Sequence, residues 1–114
     1  EIRATTISDS AGTGPITLTK QHASKAWLSW LTASNSYADS FNISSATDDG
    51  TGIFSHYLTS NMSNGSYVRN FSLDDNINQL WTQNVTASKF QARTYTGSAY
   101  QDKNQLISVH GDLA

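Results

Sequence analysis

The stretch that most constrains the fold of this chain is residues 40–54. Phe41 and Ile43 alternate there with polar residues, which is the two-residue period of a half-buried β-strand. Asp48-Asp49-Gly50 follows, and these residue types tolerate the backbone angles that a chain reversal needs. Residues 53–59 are then predicted to return as the second strand. The stretch therefore predicts a central β-hairpin.

Residues 26–31 predict a further strand with bulky side chains on both faces. Alternation places Ala26, Leu28 and Trp30 on one face and Trp27, Ser29 and Leu31 on the other. A strand with this pattern is either central in its sheet or has one face against another subunit. A helix over residues 20–31 is the rival interpretation.

The rest of the chain also has the two-residue period over short segments. Strands are predicted over residues 1–7, 15–18, 67–73, 88–96 and 106–110, whereas residues 77–85 fit a short helical turn nearly as well as a strand. Seven or eight short strands separated by turns predict an all-β fold, an antiparallel β-sandwich or a small barrel. The aromatic residues of clearly alternating strands are expected in the core: Trp27, Phe41, Phe71 and Phe90.

Composition agrees with this fold class and excludes several functions. Ser, Thr and Asn make up 39 of the 114 residues, and such side chains favour turns and strands with a polar outer face. The net charge of −2 gives no bulk attraction for nucleic acid. There is no cysteine, which excludes disulfides and thiolate sites. The longest apolar stretch, near residues 26–31, is far too short to span a bilayer, so no membrane insertion is expected.

The sequence offers little for catalysis or metal binding. Asp48-Asp49 and Asp74-Asp75 are adjacent pairs, and neighbouring side chains of an extended chain diverge, so turn chemistry explains them better than paired acid–base catalysis. Calcium binding at either pair stays an alternative, although no complete calcium loop is present. His22, His56 and His110 are spread along the chain without a metal-ligand spacing. We therefore predict no enzyme, no catalytic residue, no metal and no cofactor.

Several motifs together resemble a module near the C-termini of bacteriophage tail-fibre and related tail proteins. The motifs are K-A-W at 25–27, D-S-F-N-I-S-S at 39–45 and T-D-D-G-T-G at 47–52, followed by matching residues at 88–94 and 109–113. Residues 11–15 resemble the linker that often precedes the module. The chain departs from the family pattern at residues 53–56 and 62–65, in segments expected to vary with the receptor.

The resemblance implies an organisation and a function. Residues 1–14 would be a linker or leading strand from an upstream fibre region and residues 15–114 the tail-fibre domain. Separately, because Glu1 is not a natural start, the chain is expected to be a fragment of a longer protein. The domain would form a homotrimer on the virion, be made in the bacterial cytoplasm, and bind a bacterial surface glycan or outer-membrane protein without covalent chemistry. A structural module that trimerises or caps the fibre is the alternative, and a carbohydrate-binding accessory of a tail depolymerase is a third.

The candidate receptor-binding residues come from the loops and irregular segments, where binding residues concentrate on such scaffolds. Sugar rings stack on exposed aromatic faces while nearby polar groups recognise the hydroxyls. Segments 61–66, 74–79 and 97–104 and the aromatic residues near them give the predicted set: Asn61, Asn64, Asp74, Asp75, Trp81, Tyr95, Tyr100, Asp102 and Lys103.

Overall fold

A computed structural model describes residues 23–72 and 79–114 of the chain. The predicted strands at 1–7 and 15–18, the linker at 1–14, and the candidate residues Asp74 and Asp75 lie outside the described residues. The start of the predicted domain at residue 15 is likewise not described.

The described residues form two four-stranded antiparallel sheets. The first sheet has the order β2-β1-β8-β5 and the second has the order β3-β4-β7-β6. The only helical element in these two ranges is one turn of 3-10 helix, Thr32–Ser34. The strands are β1 Ala26–Leu31, β2 Ser36–Phe41, β3 Ile43–Gly50, β4 Ile53–Leu58, β5 Val68–Ser72, β6 Gln79–Gln83, β7 Lys89–Tyr95 and β8 Gln105–His110.

The all-β prediction is confirmed, and of its two forms the β-sandwich is the one found. The core lies between the two sheets and takes alternate residues mainly from β1, β4, β7 and β8, as a sheet with one buried face requires. Residues 77–85, which the sequence left open, contain the strand β6 rather than a helical turn. The buried apolar residues are Ala26, Leu28, Trp30, Phe54, Leu58, Met62, Tyr67, Leu80, Phe90, Ala92, Ile107 and Val109.

Strand β1 has the two faces that its sequence predicts, and the helix alternative is excluded. Ala26, Leu28 and Trp30 are buried, and the residues between them face outward. The prediction that four aromatic residues lie in the core is wrong for three of them, because Trp27, Phe41 and Phe71 are 38%, 53% and 37% exposed. Only Phe90 is fully buried.

Asn42 carries the chain from one sheet to the other in a single residue. It separates β2 from β3, so the predicted continuous strand through Phe41 and Ile43 is in fact two strands in different sheets. Its φ of 58° is left-handed, a conformation that Asn tolerates better than most residues. Its side-chain amide donates to the Lys25 and Ser60 carbonyls at 3.0 and 3.2 Å, and its Oδ1 accepts from the Ser60 N–H at 2.7 Å. The side chain therefore fixes the sharp corner that its backbone makes.

A buried polar chain crosses the core between the sheets. Tyr37 lies 2.7 Å from His56 Nδ1, and His56 Nε2 lies 2.8 Å from Gln105 Oε1. The Gln105 amide nitrogen donates to the Ala92 carbonyl at 3.3 Å, so its oxygen accepts from His56. His56 therefore carries a proton on Nε2, and in the neutral ring Nδ1 accepts from the Tyr37 hydroxyl, which has the Ser45 carbonyl at 3.2 Å as a second, more distant acceptor. Burial lowers the pKa of His56 to about 4, despite the opposing effects of the Gln105 hydrogen bond and the Asp49 charge.

Candidate binding surface

Three of the predicted site residues lie side by side at one end of the second sheet. The ring centroids of Trp81 and Tyr95 are 6.3 Å apart, those of Trp81 and Tyr100 are 5.7 Å apart, and those of Tyr95 and Tyr100 are 5.5 Å apart. Tyr100 is 37% exposed, and the other two are partly exposed. We call these three residues the aromatic platform.

Strand register explains why Trp81 meets Tyr95 although they belong to different strands. Trp81 on β6 pairs with Arg93 on β7, and Gln79 pairs with Tyr95, so Trp81 and Tyr95 share the outer face of the sheet. Tyr95 in turn forms an antiparallel bridge with Tyr100. Trp81 and Tyr95 therefore lie in strands, and only Tyr100 belongs to a loop.

A short turn between Tyr95 and Tyr100 closes the platform. The Thr96 N–H donates to the Ala99 carbonyl at 3.0 Å, and Gly97 has a φ of 92°. This φ lies in the positive region that glycine adopts without steric cost. The turn returns the chain so that Tyr100 stands beside Tyr95.

The end of β7 and residues 100–102 form a hairpin, which we call the platform hairpin. The turn between β3 and β4 is hydrogen-bonded to this hairpin. The Gly52 carbonyl accepts from the Thr94 N–H at 2.9 Å, and the Gly52 N–H donates to Asp102 Oδ1 at 2.6 Å. The Thr94 hydroxyl donates to the Gln101 carbonyl at 2.5 Å. A Cβ at position 52 would lie 2.6 Å from the Gln101 oxygen and 2.8 Å from the Thr94 oxygen. Asp102, a predicted binding residue, thus has a carboxylate oxygen engaged in holding the hairpin.

A polar network continues from the platform along the same outer face. Arg93 donates to Gln91 Oε1 from Nε at 3.0 Å and from Nη2 at 2.7 Å. The Gln91 amide nitrogen donates to Asp49 Oδ2 at 2.9 Å, and the Ser55 hydroxyl donates to the same oxygen. The Arg93 guanidinium carbon lies 5.9 Å from the centre of the Tyr100 ring. The network therefore joins Asp49 to the aromatic platform.

The surroundings of the Asp49 carboxyl group favour its ionised form. Burial alone raises its pKa, but the hydrogen bonds from Ser55 and Gln91 and the positive charges of Lys89 and Arg93 lower it by more. The net pKa of Asp49 is below its usual value. The outer face thus carries a fixed negative charge at Asp49 and positive charges at Arg93 and Lys89.

Two other predicted residues, Asn61 and Asn64, are not part of this surface. Asn61 and Asn64 lie in the loop after β4, at the end of the sandwich where β7 begins, whereas the platform lies where β7 ends. Since β7 has seven residues, the two ends are separated by about 20 Å. Asn64 Oδ1 accepts the Ser66 N–H at 2.8 Å, and the Asn61 carbonyl accepts the Ala114 N–H at 3.0 Å.

Lys103 follows the platform hairpin and contacts the first sheet. Its carbonyl accepts the Thr32 hydroxyl at 2.6 Å. The backbone of Lys103 thus fastens the hairpin to the end of β1. This backbone contact does not test whether the Lys103 side chain takes part in binding, so that role stays a prediction.

A second exposed surface lies on the outer face of the first sheet and is apolar. Trp27 on β1 is the direct cross-strand neighbour of Phe41 on β2, and both are exposed. Leu31 on β1 and Val68 on β5 add exposed apolar area, with Val68 57% exposed. We call Trp27, Leu31, Phe41 and Val68 the apolar face. Exposed apolar surface such as the Trp27–Phe41 pair marks interaction sites.

An open groove of about 520 Å³ beside the Asn42 corner is lined by Phe41, Leu113 and Lys25 among others, at the end of the sandwich away from the platform. Within residues 23–72 and 79–114, no three His, Cys, Asp or Glu side chains are grouped so as to hold a metal ion. Across the same described ranges, no helix has the length and apolarity needed to cross a membrane.

Comparison with known proteins gives no match: no protein-family model fits the sequence, and no similar curated protein or solved structure was found.

The sequence singled out the aromatic platform but not the polar network beside it. Gln91 and Arg93 alternate with Phe90, Ala92 and Thr94 in β7, and this places them on the same face as Tyr95. That alternation was visible in the sequence and would have found them. The sequence does not indicate that Asp49 belongs to this network, because its hydrogen bond from Gln91 joins residues that are 42 positions apart.

Proposed function

We propose that this chain is the distal domain of a bacteriophage tail fibre and binds a glycan on the bacterial surface without covalent chemistry. The observation that carries the proposal is the aromatic platform. Trp81, Tyr95 and Tyr100 come from three separate segments and meet, partly exposed, on the outside of a rigid sheet. The motif resemblance to tail-fibre proteins supplies the setting, on the virion.

The chemistry of the platform suits a sugar ring better than a deep-pocket ligand. Clustered aromatic faces stack against the C–H groups of a pyranose, and an adjacent hydrogen-bonding group selects among hydroxyls. Arg93 supplies such a group within 5.9 Å of the Tyr100 ring. A flat aromatic surface can also bind an outer-membrane protein. The experiment below distinguishes this receptor class from a glycan.

The proposal includes assembly of three copies through the apolar face. Trp27, Phe41 and Val68 are 38%, 53% and 57% exposed, and burial against a second copy would remove this area from water. The number three comes from the resemblance to fibres. Three platforms displayed together would bind a repeating cell surface with greater avidity than one.

A second candidate function is a structural module that trimerises or caps the fibre without binding a receptor. The apolar face favours it, because this surface is suited to assembly whether or not the platform binds anything. The two functions differ in whether the platform is needed for host attachment.

The deciding experiment measures capture of the purified domain by candidate host cells and its molar mass by light scattering on the same sample. The test variant is Trp81→Ala. The matched control is Tyr57→Ala, because Tyr57 lies on the same outer face but pairs with Lys89 at the far end of β7. Trp27→Ala tests the apolar face.

We expect saturable capture by the unaltered trimer, its loss in Trp81→Ala with mass unchanged, and its retention in Tyr57→Ala. Trp27→Ala should reduce the mass. A folded trimer that no host captures would favour the structural module. Capture that survives enzymatic removal of surface glycans but not protease treatment of the cells would replace the glycan with an outer-membrane protein.

A further inference from the structure

The Arg93 side chain is held with one of its two hydrogen-bonding edges turned away from the protein network. Nε and Nη2 form the edge that donates to Gln91 Oε1, at 3.0 and 2.7 Å. The second edge of a guanidinium is formed by Nη1 and the remaining hydrogen of Nη2. Within the described parts of the chain, no hydrogen bond is made from Nη1.

The group that holds Arg93 is itself fixed. Gln91 is only 8% exposed, and its oxygen also accepts from the Asn84 amide at 3.2 Å. Its nitrogen donates to Asp49 at 2.9 Å, and this sets which end of the amide faces Arg93. The orientation of the guanidinium is therefore determined before any ligand arrives, which lowers the entropy cost of binding.

The Nη1–Nη2 edge lies at the margin of the aromatic platform. Arg93 is the direct cross-strand partner of Trp81, and its guanidinium carbon is 5.9 Å from the Tyr100 ring centre. A ligand stacked on the platform thus has a planar cation beside it. A planar edge with two N–H donors matches the two oxygens of a carboxylate or phosphate, which it binds in bidentate fashion.

We infer that the platform takes an acidic sugar, with the ring on the aromatic residues and its carboxylate or phosphate on the Nη1–Nη2 edge of Arg93. The inference rests on the proposed function and names the class of its ligand. A neutral sugar would leave this edge to water, whereas an acidic one gains a charge-assisted pair next to apolar rings, where such pairs are stronger than in open water.

The charges around Arg93 are compatible with an anionic ligand. The negative Asp49 lies behind Gln91, on the side of Arg93 that the amide already occupies. Lys89 lies on the same outer face, four residues before Arg93, with its ammonium 5.5 Å from the Tyr57 ring centre. Lys89 therefore serves as the matched control, a positive charge on the same face but away from the platform.

The test compares three probes by the chemical-shift change of the Trp81 indole N–H in an NMR titration. The probes are methyl glucuronide, glucose 6-phosphate and methyl glucoside, which differ in the acidic group. The variants are Arg93→Gln, Arg93→Lys and Lys89→Gln, and a thermal melt checks that each is folded.

We expect an acidic probe to bind at least about tenfold more tightly than methyl glucoside, the ratio that corresponds to about 1.4 kcal/mol. Arg93→Gln should abolish the preference and keep weak binding of the neutral sugar, Arg93→Lys should reduce it, and Lys89→Gln should leave it unchanged. The ratio between glucuronide and glucose 6-phosphate distinguishes a carboxylated from a phosphorylated receptor.

Equal binding of all three probes, or a preference that survives Arg93→Gln, would overturn the inference while leaving glycan binding at the platform intact. The inference would also fail if none of the probes bound but cells were captured through Trp81. If neither probes nor cells bound, the proposed function would fail with it.

Discussion

The buried His56 should make this protein lose stability at mildly acidic pH. Its pKa is about 4 in the folded protein because burial disfavours the charged ring, against an ordinary value of 6.5. The unfolded chain therefore binds one more proton than the folded chain between these two values. Stability falls as the pH drops through this range and is constant, as far as His56 is concerned, above 6.5 and below 4.

The size of the effect follows from the difference between the two pKa values. Each pKa unit corresponds to about 1.4 kcal/mol, so the loss from neutral pH to pH 4 is about 3 kcal/mol. Domains of this size are stable by about 5–15 kcal/mol, so the loss is a substantial fraction of the total. Asp49 contributes stability in a different pH range, because its pKa is lower in the folded protein than in the unfolded chain. This stabilisation is lost only as the pH falls below about 4.

Urea unfolding followed by tryptophan fluorescence at several pH values between 7 and 4 measures the loss directly. An NMR titration of the His56 ring in the folded protein provides a second measurement that does not depend on unfolding. A free energy of unfolding that stays flat between pH 6.5 and 4.5 would refute the reasoning. So would a His56 ring that titrates near 6.5 in the folded protein, since it would mean that the ring can take up a proton without disrupting the Tyr37 and Gln105 hydrogen bonds.

Substitutions at four further positions test the backbone corners and one buried hydroxyl by urea unfolding. Asn42→Ala should cost about 3 kcal/mol, because it loses three side-chain hydrogen bonds and strains a left-handed residue; Asn42→Gly loses the same hydrogen bonds without the strain and should cost about 1 kcal/mol less. Gly52→Ala should destabilise by about 1–3 kcal/mol more than Gly50→Ala, because both have positive φ but only position 52 lacks space for a Cβ; equal costs would refute the steric argument. Tyr67→Phe should cost about 1 kcal/mol, because the hydroxyl donates to the Thr86 carbonyl at 2.8 Å, and an unchanged midpoint would contradict this.

The sequence predicted the strands well where one face of the strand is apolar and the other polar. β7 is the clearest case, because Phe90 and Ala92 alternate with polar residues and only one register buries them. β1 was harder, because both of its faces carry bulky side chains. Alternation separates the two faces but does not tell which of them meets the core, and Trp27 was therefore assigned to the wrong side.

The change of sheet at Asn42 was not visible in the sequence for a related reason. Phe41 and Ile43 keep the two-residue spacing of a single continuous strand, although the chain turns sharply between them. The left-handed conformation of Asn42 is held by hydrogen bonds from its side chain to the Lys25 and Ser60 carbonyls. These partners are distant in sequence and cannot be inferred from a local pattern.

The candidate site was predicted in part. Trp81, Tyr95 and Tyr100 were selected one by one as aromatic residues of irregular segments, and their meeting is a consequence of strand register. Asn61 and Asn64 were selected by the same reasoning, yet they lie about 20 Å away because β7 separates the two ends of the sandwich. Membership of a loop indicates exposure, but it does not indicate which loops share an end.

The two faces of β7 determine how this surface can vary between related proteins. Substitutions at Gln91, Arg93 or Tyr95 change the outer face and leave Phe90 and Ala92 in place. Insertion or deletion of one residue in β7 would exchange the two faces, placing a guanidinium in the core and a phenyl ring on the outside. New ligand specificities should therefore arise through point substitutions within β7 and through changes in length only beyond it, in the turn at residues 96–99.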